Sequence, residues 1–384
     1  MKNFVFHNPV KILFGKGQIA RIAEEIPVNM KVLVTFGGGS IKKNGVYEQV
    51  IKALKGFQVL EFGGIEANPR YETLLKAIEV VKSQGVDFLL AVGGGSVLDG
   101  TKFIAAGALY DGDPWDFCAK GTRITKAMPI GAVITLPATG SEMNGNAVIT
   151  HNGLKDKKAF FSPLVYPVFS VMDPETTFSL PIHQTANGIV DTFVHTTEQY
   201  LTYPVNAPLQ DRMAESILRT LLEEGPKIMR NPDDYETRAN LMWCSTNALN
   251  GLIGVGVPND WATHGIGHQL TALHGLDHAV TLAIVLPGVW QVMKSDKQGK
   301  LLQYASRVWN IHEGSDEHRI DKAIELTEEF FNNLGIKTHL SDYGIGTETI
   351  ETIVQRFSKP QPVKFGERGN ITPEKVREIL IARL

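Results

Sequence analysis

The chain has 384 residues, 43% hydrophobic and 21% charged, with a formal net charge of −3. This is ordinary globular usage, too long for one ordinary core, and it predicts about two domains. No basic stripe calls for nucleic acid, no run of about 18 apolar residues predicts a membrane span, and the opening MKNFVFHNPVKILFGKG lacks the apolar core of a signal peptide.

The first half alternates short apolar runs with amphipathic stretches. Lys31–Phe36, Phe57–Phe62, Asp87–Val92, Ile130–Thr135 and Val168–Met172 are rich in β-branched and aromatic residues and bounded by Gly, Pro or Asp, which predicts strands. Between them Ile41–Leu54, Tyr71–Ser83 and Val97–Ala108 are helix-like. The β-α-β rhythm predicts a mostly parallel sheet covered by helices. After Asp173-Pro174 the texture changes to successive helical patterns: Ile182–Leu201, Leu209–Leu222, Tyr235–Leu249, Trp261–Leu273, His278–Val285, Leu301–Val308, Arg319–Leu334 and Thr347–Phe357. The expected organisation is an α/β dinucleotide-binding domain over 1–180 and an all-helical domain over 181–384. Cys118 and Cys244 make neither a disulfide framework nor a structural zinc set, so a cytoplasmic protein is expected.

Gly-Gly-Gly-Ser occurs at 37–40 and again at 93–96, each time after a predicted strand and before a predicted helix. Glycines let a backbone approach a ligand closely, and a helix N-terminus beyond them favours phosphate. One such loop is a weak signal; two at the strand ends of one parallel sheet point to a dinucleotide. Neither has the spelling of the Rossmann or Walker fingerprint. The first loop, TFGGGSIKK, has no acid to bond the adenosine ribose, and it offers Ser40, Lys42 and Lys43. NADP(H) is therefore expected over NAD(H).

In Ile182–Leu201, Asp191 and His195 are four apart and flanked by Ile189, Val190, Phe193 and Val194. On a helix they share one inward face. In Trp261–Val280, WATHGIGHQLTALHGLDHAV, His264 and His268 are four apart, as are His274 and His278. A lone core histidine is usually only hydrogen-bonded. Three i,i+4 pairs of ligand-type residues favour a divalent metal, and carboxylate plus imidazole suits zinc or ferrous iron. Gly265 follows His264 where a zincin has its glutamate, so peptide hydrolysis loses its support. Spacing alone does not choose among the six candidates.

From FHNPVKILFGKG to THLSDYGI the chain resembles the iron-containing (group III) alcohol dehydrogenases, in the branch of NADPH-dependent aldehyde reductases and butanol dehydrogenases. The resemblance rests on AVGGGSVLDGTKFIAAG, ITLPATGSEMNGNAVIT, NGIVDTFVHTTEQY, ALNGLIGVGVPNDWATHGIGHQLTALHGLDHA and TLAIVLP. It implies one Fe2+ or Zn2+ on Asp191, His195, His264 and His278, with His268 beside the metal and substrate and no role for His274. His268 is then a candidate catalytic proton relay, the alternative being that it only orients the site. It implies that Gly37, Gly38, Gly39 and Ser40 surround the adenosine ribose, with Asn68 near the adenosine half. Gly94, Gly95, Ser96 and Asp99 are then expected at the pyrophosphate. Thr135, Thr139 and Ser141 are expected around the nicotinamide, and Asn146 and Lys157 at its ribose. NAD-preferring relatives carry Asp at the position of Gly39. The implied activity is reversible hydride transfer between NADP(H) and a short- to medium-chain aldehyde or primary alcohol, in a homodimer with no membrane or nucleic-acid partner. The alternatives are a glycerol-dehydrogenase-like polyol dehydrogenase and a non-catalytic nucleotide- or metal-binding protein.

Overall fold

A computed structural model describes residues 1–384. The chain divides into two compact units, one of His7–Leu180 with Asp233–Thr246, the other of Met1–Phe6, Pro181–Pro232 and Asn247–Leu384.

The first unit is built on strands β1 (Lys11–Phe14), β2 (Lys31–Phe36), β3 (Gln58–Phe62), β4 (Phe88–Gly94), β5 (Ile130–Leu136) and β8 (Phe169–Met172). They form one sheet in the order β1-β8-β5-β4-β2-β3, with every pairing parallel. The helices of this part are α1 (Ile22–Glu25), α2 (Val46–Ala53), α3 (Tyr71–Gln84), α4 (Gly95–Gly107) and α5 (Asp116–Ala119). Strands β2 and β4 are nearly continuous apolar runs because both faces are covered. Their residues alternate between two cores. Leu33, Leu89 and Ala91 pack with Leu74 and Ile78 of α3 and Phe103 of α4. Val32, Val34, Leu90 and Val92 pack with Ile19, Ile22, Val46 and Val50 on the other face.

From β2 the chain moves outward to β3, and from β4 it moves the other way through β5 to β8. The sheet's topological switch point lies between β2 and β4, where open α/β sheets bind ligands at the strand carboxyl ends. Both Gly-Gly-Gly-Ser loops leave these two strands.

Some features differ from expectation. The predicted helix over 41–54 is a 3-10 turn at Ser40–Lys42 and then α2, because Gly45 sits at φ +81° between them. Strand β1 is too short to show a period. The antiparallel hairpin β6 (Asn146–His151) and β7 (Asp156–Phe161) was masked by the polar start of β7, although Asn152-Gly153 is a hairpin-turn signal.

The second unit is helical. Its elements are α6 (Ile182–Tyr200), α7 (Pro208–Arg230), the end of α8 (Tyr235–Leu249), α9 (Ala262–His274), α10 (His278–Val292), α11 (Lys294–Arg307), α12 (Asp316–Asn333), α13 (Thr347–Ser358) and α14 (Pro373–Ile381). Residues 233–246 belong with the sheet instead: Tyr235 Oη accepts from Lys16 N at 3.2 Å, Trp243 meets Phe14 edge-on, and Thr246 donates to Glu142. Helices α7 and α10 run past Pro226 and Pro287, beyond the ends read from sequence. A proline in a helix interior costs about 3 kcal/mol, and burial of Gly225 and Ile228, or of Leu286 through Trp290, outweighs it. Helix α10 is buried on nearly every side and forms the centre of this unit. No helix is long and apolar enough to cross a membrane.

Lys297 of α11 is almost fully buried, with its ammonium 2.9 Å from Asp260 and 2.8 Å from Glu367, and it donates to the Leu201 carbonyl at 2.8 Å. Removing one partner of a buried ionic cluster leaves uncompensated charge. Lys297→Ala is expected to lower unfolding free energy by about 3–5 kcal/mol in urea titrations. A loss under about 1 kcal/mol would mean that the two carboxylates find water instead.

Candidate metal centre and dinucleotide cradle

Asp191, His195 and Glu198 lie on one face of α6, spaced by four and then three residues, and all are buried. His264 comes from the first turn of α9, and His278 is the first residue of α10. The two helices approach closely because residue 267 is glycine: a Cβ there would stand 2.8 Å from Thr281 Oγ1. Trp261, at φ +63°, caps α9 and lays its ring edge-on to His195 and His264.

One oxygen organises the group. Asp191 Oδ1 is 3.6 Å from His195 Nδ1, 3.7 Å from His264 Nε2 and 3.8 Å from His278 Nε2. These distances are too long for hydrogen bonds. They are close to the edge of a ligand tetrahedron, about 3.3–3.6 Å when each metal bond is about 2.0–2.2 Å. Ligand atoms of Asp191, His195 and His264 all lie within 4.8 Å of one another. His278 falls outside that tighter trio but meets the same oxygen from the more open side, its side chain 25% exposed. The four residues therefore fit a divalent ion with one oxygen and three nitrogen donors. His268 stands beside them, its ring centre 5.3 Å from that of His278 and 6.2 Å from that of His264. His274 is exposed and its Nε2 meets Thr349 Oγ1 at 2.9 Å.

The sequence reading missed Glu198. Its carboxylate accepts Thr263 N at 2.7 Å and pairs with His264 Nδ1. With Nδ1 held, Nε2 is turned towards Asp191, the arrangement that orients a ligating histidine. Burial lowers the affinity of His264 for a proton, but the carboxylates of Glu198 and Asp191 outweigh it and hold the pKa at about 9. Burial pushes Glu198 up. A metal ion held by His264 would displace that imidazole proton.

In the sheet unit, α4 starts at Gly95 with no side-chain cap, so its first N–H groups are available to an anion. The glycines are sterically required: a Cβ on Gly94 would stand 2.9 Å from Leu136 and one on Gly95 2.3 Å from Thr139 Oγ1. Ser96 Oγ accepts Asn68 N at 3.3 Å, and Lys157 Nζ donates to Asn68 Oδ1 at 2.8 Å. Asn68 itself sits at φ +60°. Ser141 Oγ donates to Asp99 Oδ1 at 2.7 Å, and Val148 N donates to Asp99 Oδ2 at 2.9 Å. Asn68, Ser96, Thr139, Ser141, Asp99 and Lys157 are thus brought into one neighbourhood beside α4. Asn146 is exposed at the start of β6, and Thr135 lies near the carboxyl end of β5. Gly37–Ser40 form the separate loop after β2, with Gly38 and Gly39 facing open space.

Lys102 was also missed. It is fully buried on α4, and its Nζ donates to Ser141 Oγ at 2.7 Å, Asn144 Oδ1 at 3.1 Å and the Asn146 carbonyl at 2.8 Å. Three acceptors require three N–H donors, which only the ammonium form has. Burial lowers its pKa to about 8, against the pull of Asp99 and Glu142.

Two outcomes follow from these geometries. Glu198→Ala is expected to weaken Zn(II) binding roughly 10–100-fold in chelator competition, with Glu198→Gln retaining most of the affinity. Equal affinities in wild type and Glu198→Ala would remove its orienting role. Because Lys102 needs its third proton, NADPH affinity is expected to fall as pH rises through about 8. Lys102→Met should bind weakly at every pH, and the same slope in that variant would assign the titration elsewhere.

Comparison with known proteins bears on the same two regions. Residues 9–174 match the family model for iron-containing alcohol dehydrogenase, and residues 185–384 match the C-terminal model of the Fe-containing alcohol dehydrogenase family. The NADPH-dependent aldehyde reductase YqhD of Escherichia coli is 58% identical over 99% of both chains. A probable NADH-dependent butanol dehydrogenase of Bacillus subtilis is 43% identical over the full length of both. Among solved structures, that of E. coli YqhD superposes with a TM-score of 0.98 at 57% identity, covering 100% of this chain and 99% of that one. NADH-dependent butanol dehydrogenase A of Thermotoga maritima gives 0.94 at 41% identity, with the same coverage. By family-model matches along most of its length and by these identities, the chain belongs to the iron-containing alcohol dehydrogenases.

Proposed function

We propose that this chain is an aldehyde reductase and alcohol dehydrogenase that exchanges a hydride between NADP(H) and a short- to medium-chain aldehyde or primary alcohol. The observation that carries the reading is the convergence of three imidazole nitrogens on Asp191 Oδ1 at 3.6–3.8 Å. Asp191, His195, His264 and His278 would hold Fe2+ or Zn2+; calcium and magnesium prefer all-oxygen sites. When bound, the ion supplies a Lewis acid for the substrate oxygen, and the dinucleotide supplies the hydride.

The remaining work belongs to the chain. Glu198 keeps His264 in one orientation. The first N–H groups of α4, at Gly95 and Ser96, bind pyrophosphate. Thr139, Ser141, Asn146 and Lys157 position the nicotinamide half, and Asn68 with Gly37–Ser40 the adenosine half. His268 carries the proton to the product oxygen from an imidazole nitrogen. The preference for NADP(H) is supported by the loop GGGSIKK, which carries no acid, and by the more similar of the two relatives being named for NADPH. Both cysteines are free thiols, consistent with a cytoplasmic enzyme. Phe4, Val5 and Phe6 form an exposed apolar run, consistent with a homodimer.

Protein loaded with Fe(II) or Zn(II) is expected to oxidise NADPH with butanal and to leave glycerol with NADP+ nearly untouched. His264→Ala should abolish turnover, by roughly 10³-fold or more. His268→Gln should lower kcat by about 10²-fold at unchanged metal content. Metal-loaded wild type that turns over no aldehyde would end the dehydrogenase reading, and preference for glycerol would move it to the polyol branch.

A further inference from the structure

The 3-10 turn Ser40–Lys42 brings Lys42 back over the end of β2. Its Nζ lies 4.9 Å from the ring centre of Phe36, the last residue of that strand, and 4.6 Å from that of Tyr47. There it meets Glu61 Oε2 at 2.6 Å. Tyr47 Oη donates to the other oxygen of Glu61. The chain leaving β3 follows the glycine loop closely: Gly64 N donates to the Gly37 carbonyl at 3.0 Å, and Ile65 N to that of Phe36 at 3.2 Å. The ammonium and the carboxylate thus border the loop, where Gly38 and Gly39 leave open space.

Glu61 stands about twenty residues beyond the glycine loop, near the end of the next strand. An acid beside the adenosine ribose bonds the hydroxyls of NAD and repels a 2′-phosphate, and Glu61 borders the loop assigned to that ribose. Here both its oxygens are occupied, one by a cation and one by a phenol. Hydrogen bonds from Lys42 and Tyr47 hold the Glu61 pKa below the usual range, and the Glu61 bond holds that of Lys42 above it. Both are therefore charged at neutral pH, and their charges cancel beside the loop.

We propose that Lys42 selects the phosphorylated dinucleotide, masking Glu61 in the free protein and passing its charge-assisted hydrogen bond from Glu61 to the 2′-phosphate on binding, while Tyr47 keeps its bond to Glu61. The inference rests on the NADP(H) reading and adds that Glu61 competes with the ligand. Its two residues therefore act in opposite directions. Losing Lys42 removes a phosphate contact and also exposes an acid suited to NAD(H). Losing the charge of Glu61 releases Lys42 to the ligand.

The test is equilibrium binding of 2′,5′-ADP and 5′-AMP to the metal-loaded protein by calorimetry, with no turnover required. Wild type should bind 2′,5′-ADP the more tightly, and the advantage should shrink with added salt. Lys42→Met should reduce the ratio of the two affinities by roughly tenfold or more. Lys42→Arg should keep most of the ratio. Glu61→Gln should raise 2′,5′-ADP affinity several-fold and leave 5′-AMP unchanged or weaker. The double variant Lys42→Met with Glu61→Gln should fall between the single ones. A wild type that binds both ligands equally would overturn the NADP(H) reading and this inference with it. A discriminating wild type with an undiminished ratio in Lys42→Met, or weaker 2′,5′-ADP binding by Glu61→Gln, would overturn the inference alone.

Discussion

A carboxylate oxygen held inside a protein with three imidazole nitrogens just beyond hydrogen-bond distance is a costly arrangement unless something neutralises it. Asp191 is in that position, and much of the helical unit answers to it. Helix α6 presents Asp191, His195 and Glu198 on one face. Helices α9 and α10 pack closely at Gly267, so that His264 and His278 reach the same point. Helix α9 and the turn before it are tied to α6 at Glu198, whose carbonyl accepts Asp260 N and whose carboxylate accepts Thr263 N and pairs with His264 Nδ1. Asp260 also accepts the Ala262 N–H at 2.9 Å, fixing the turn in which Trp261 takes its left-handed conformation. Lys297 then anchors Asp260. A line of contacts therefore runs from a buried ammonium on α11 to the ring of His264. Metal ligands need this support, because a small rotation of an imidazole moves its lone pair off the ion.

The sheet unit solves a related problem by different means. Binding a pyrophosphate requires backbone N–H groups to approach it, so the loops after β2 and β4 must be free of side chains. At Gly94 and Gly95 that freedom is also a packing requirement, since Leu136 and Thr139 fill the space a Cβ would take. The loop 139–146 is then tied to α4 by Lys102, whose three donors match three acceptors. The same helix that offers its N-terminus to a phosphate thus orders the segment assigned to the nicotinamide.

The fold was legible in the sequence wherever a pattern was long or repeated. Five strands of the parallel sheet are apolar runs between turn residues, and most helices show their period. Short β1 and polar β7 carry no such signal. Helices α7 and α10 continue through Pro226 and Pro287, past the ends read at Leu222 and Val285, where burial overrides the cost of the proline. The division of the chain was only partly visible, because whether 233–246 packs on the sheet depends on Tyr235, Trp243 and Thr246 finding partners distant in sequence. Of the candidate site, spacing pointed to a metal but left six ligands open, and the choice among them came from family resemblance. The structure places Asp191, His195, His264 and His278 around one point and sets His274 apart, which spacing could not express: His274 ends α9 and His278 opens α10, so those two are not i,i+4 partners on one helix.

Glu198 and Lys102 escaped the sequence reading for one physical reason. Charged residues are usually at the surface, so a charge inside a helical pattern reads as its solvated face. Both residues sit three positions after a recognised site residue on the same helix, Glu198 after His195 and Lys102 after Asp99. That spacing puts each on the face that the recognised residue has already assigned to the interior. A buried charge is tolerated only with partners, and a ligand site concentrates them: imidazole N–H and free helix N–H groups for Glu198, an ordered loop of oxygens for Lys102. A charge at i+3 from a predicted ligand on an apolar helix is therefore better read as support for that ligand than as solvated surface.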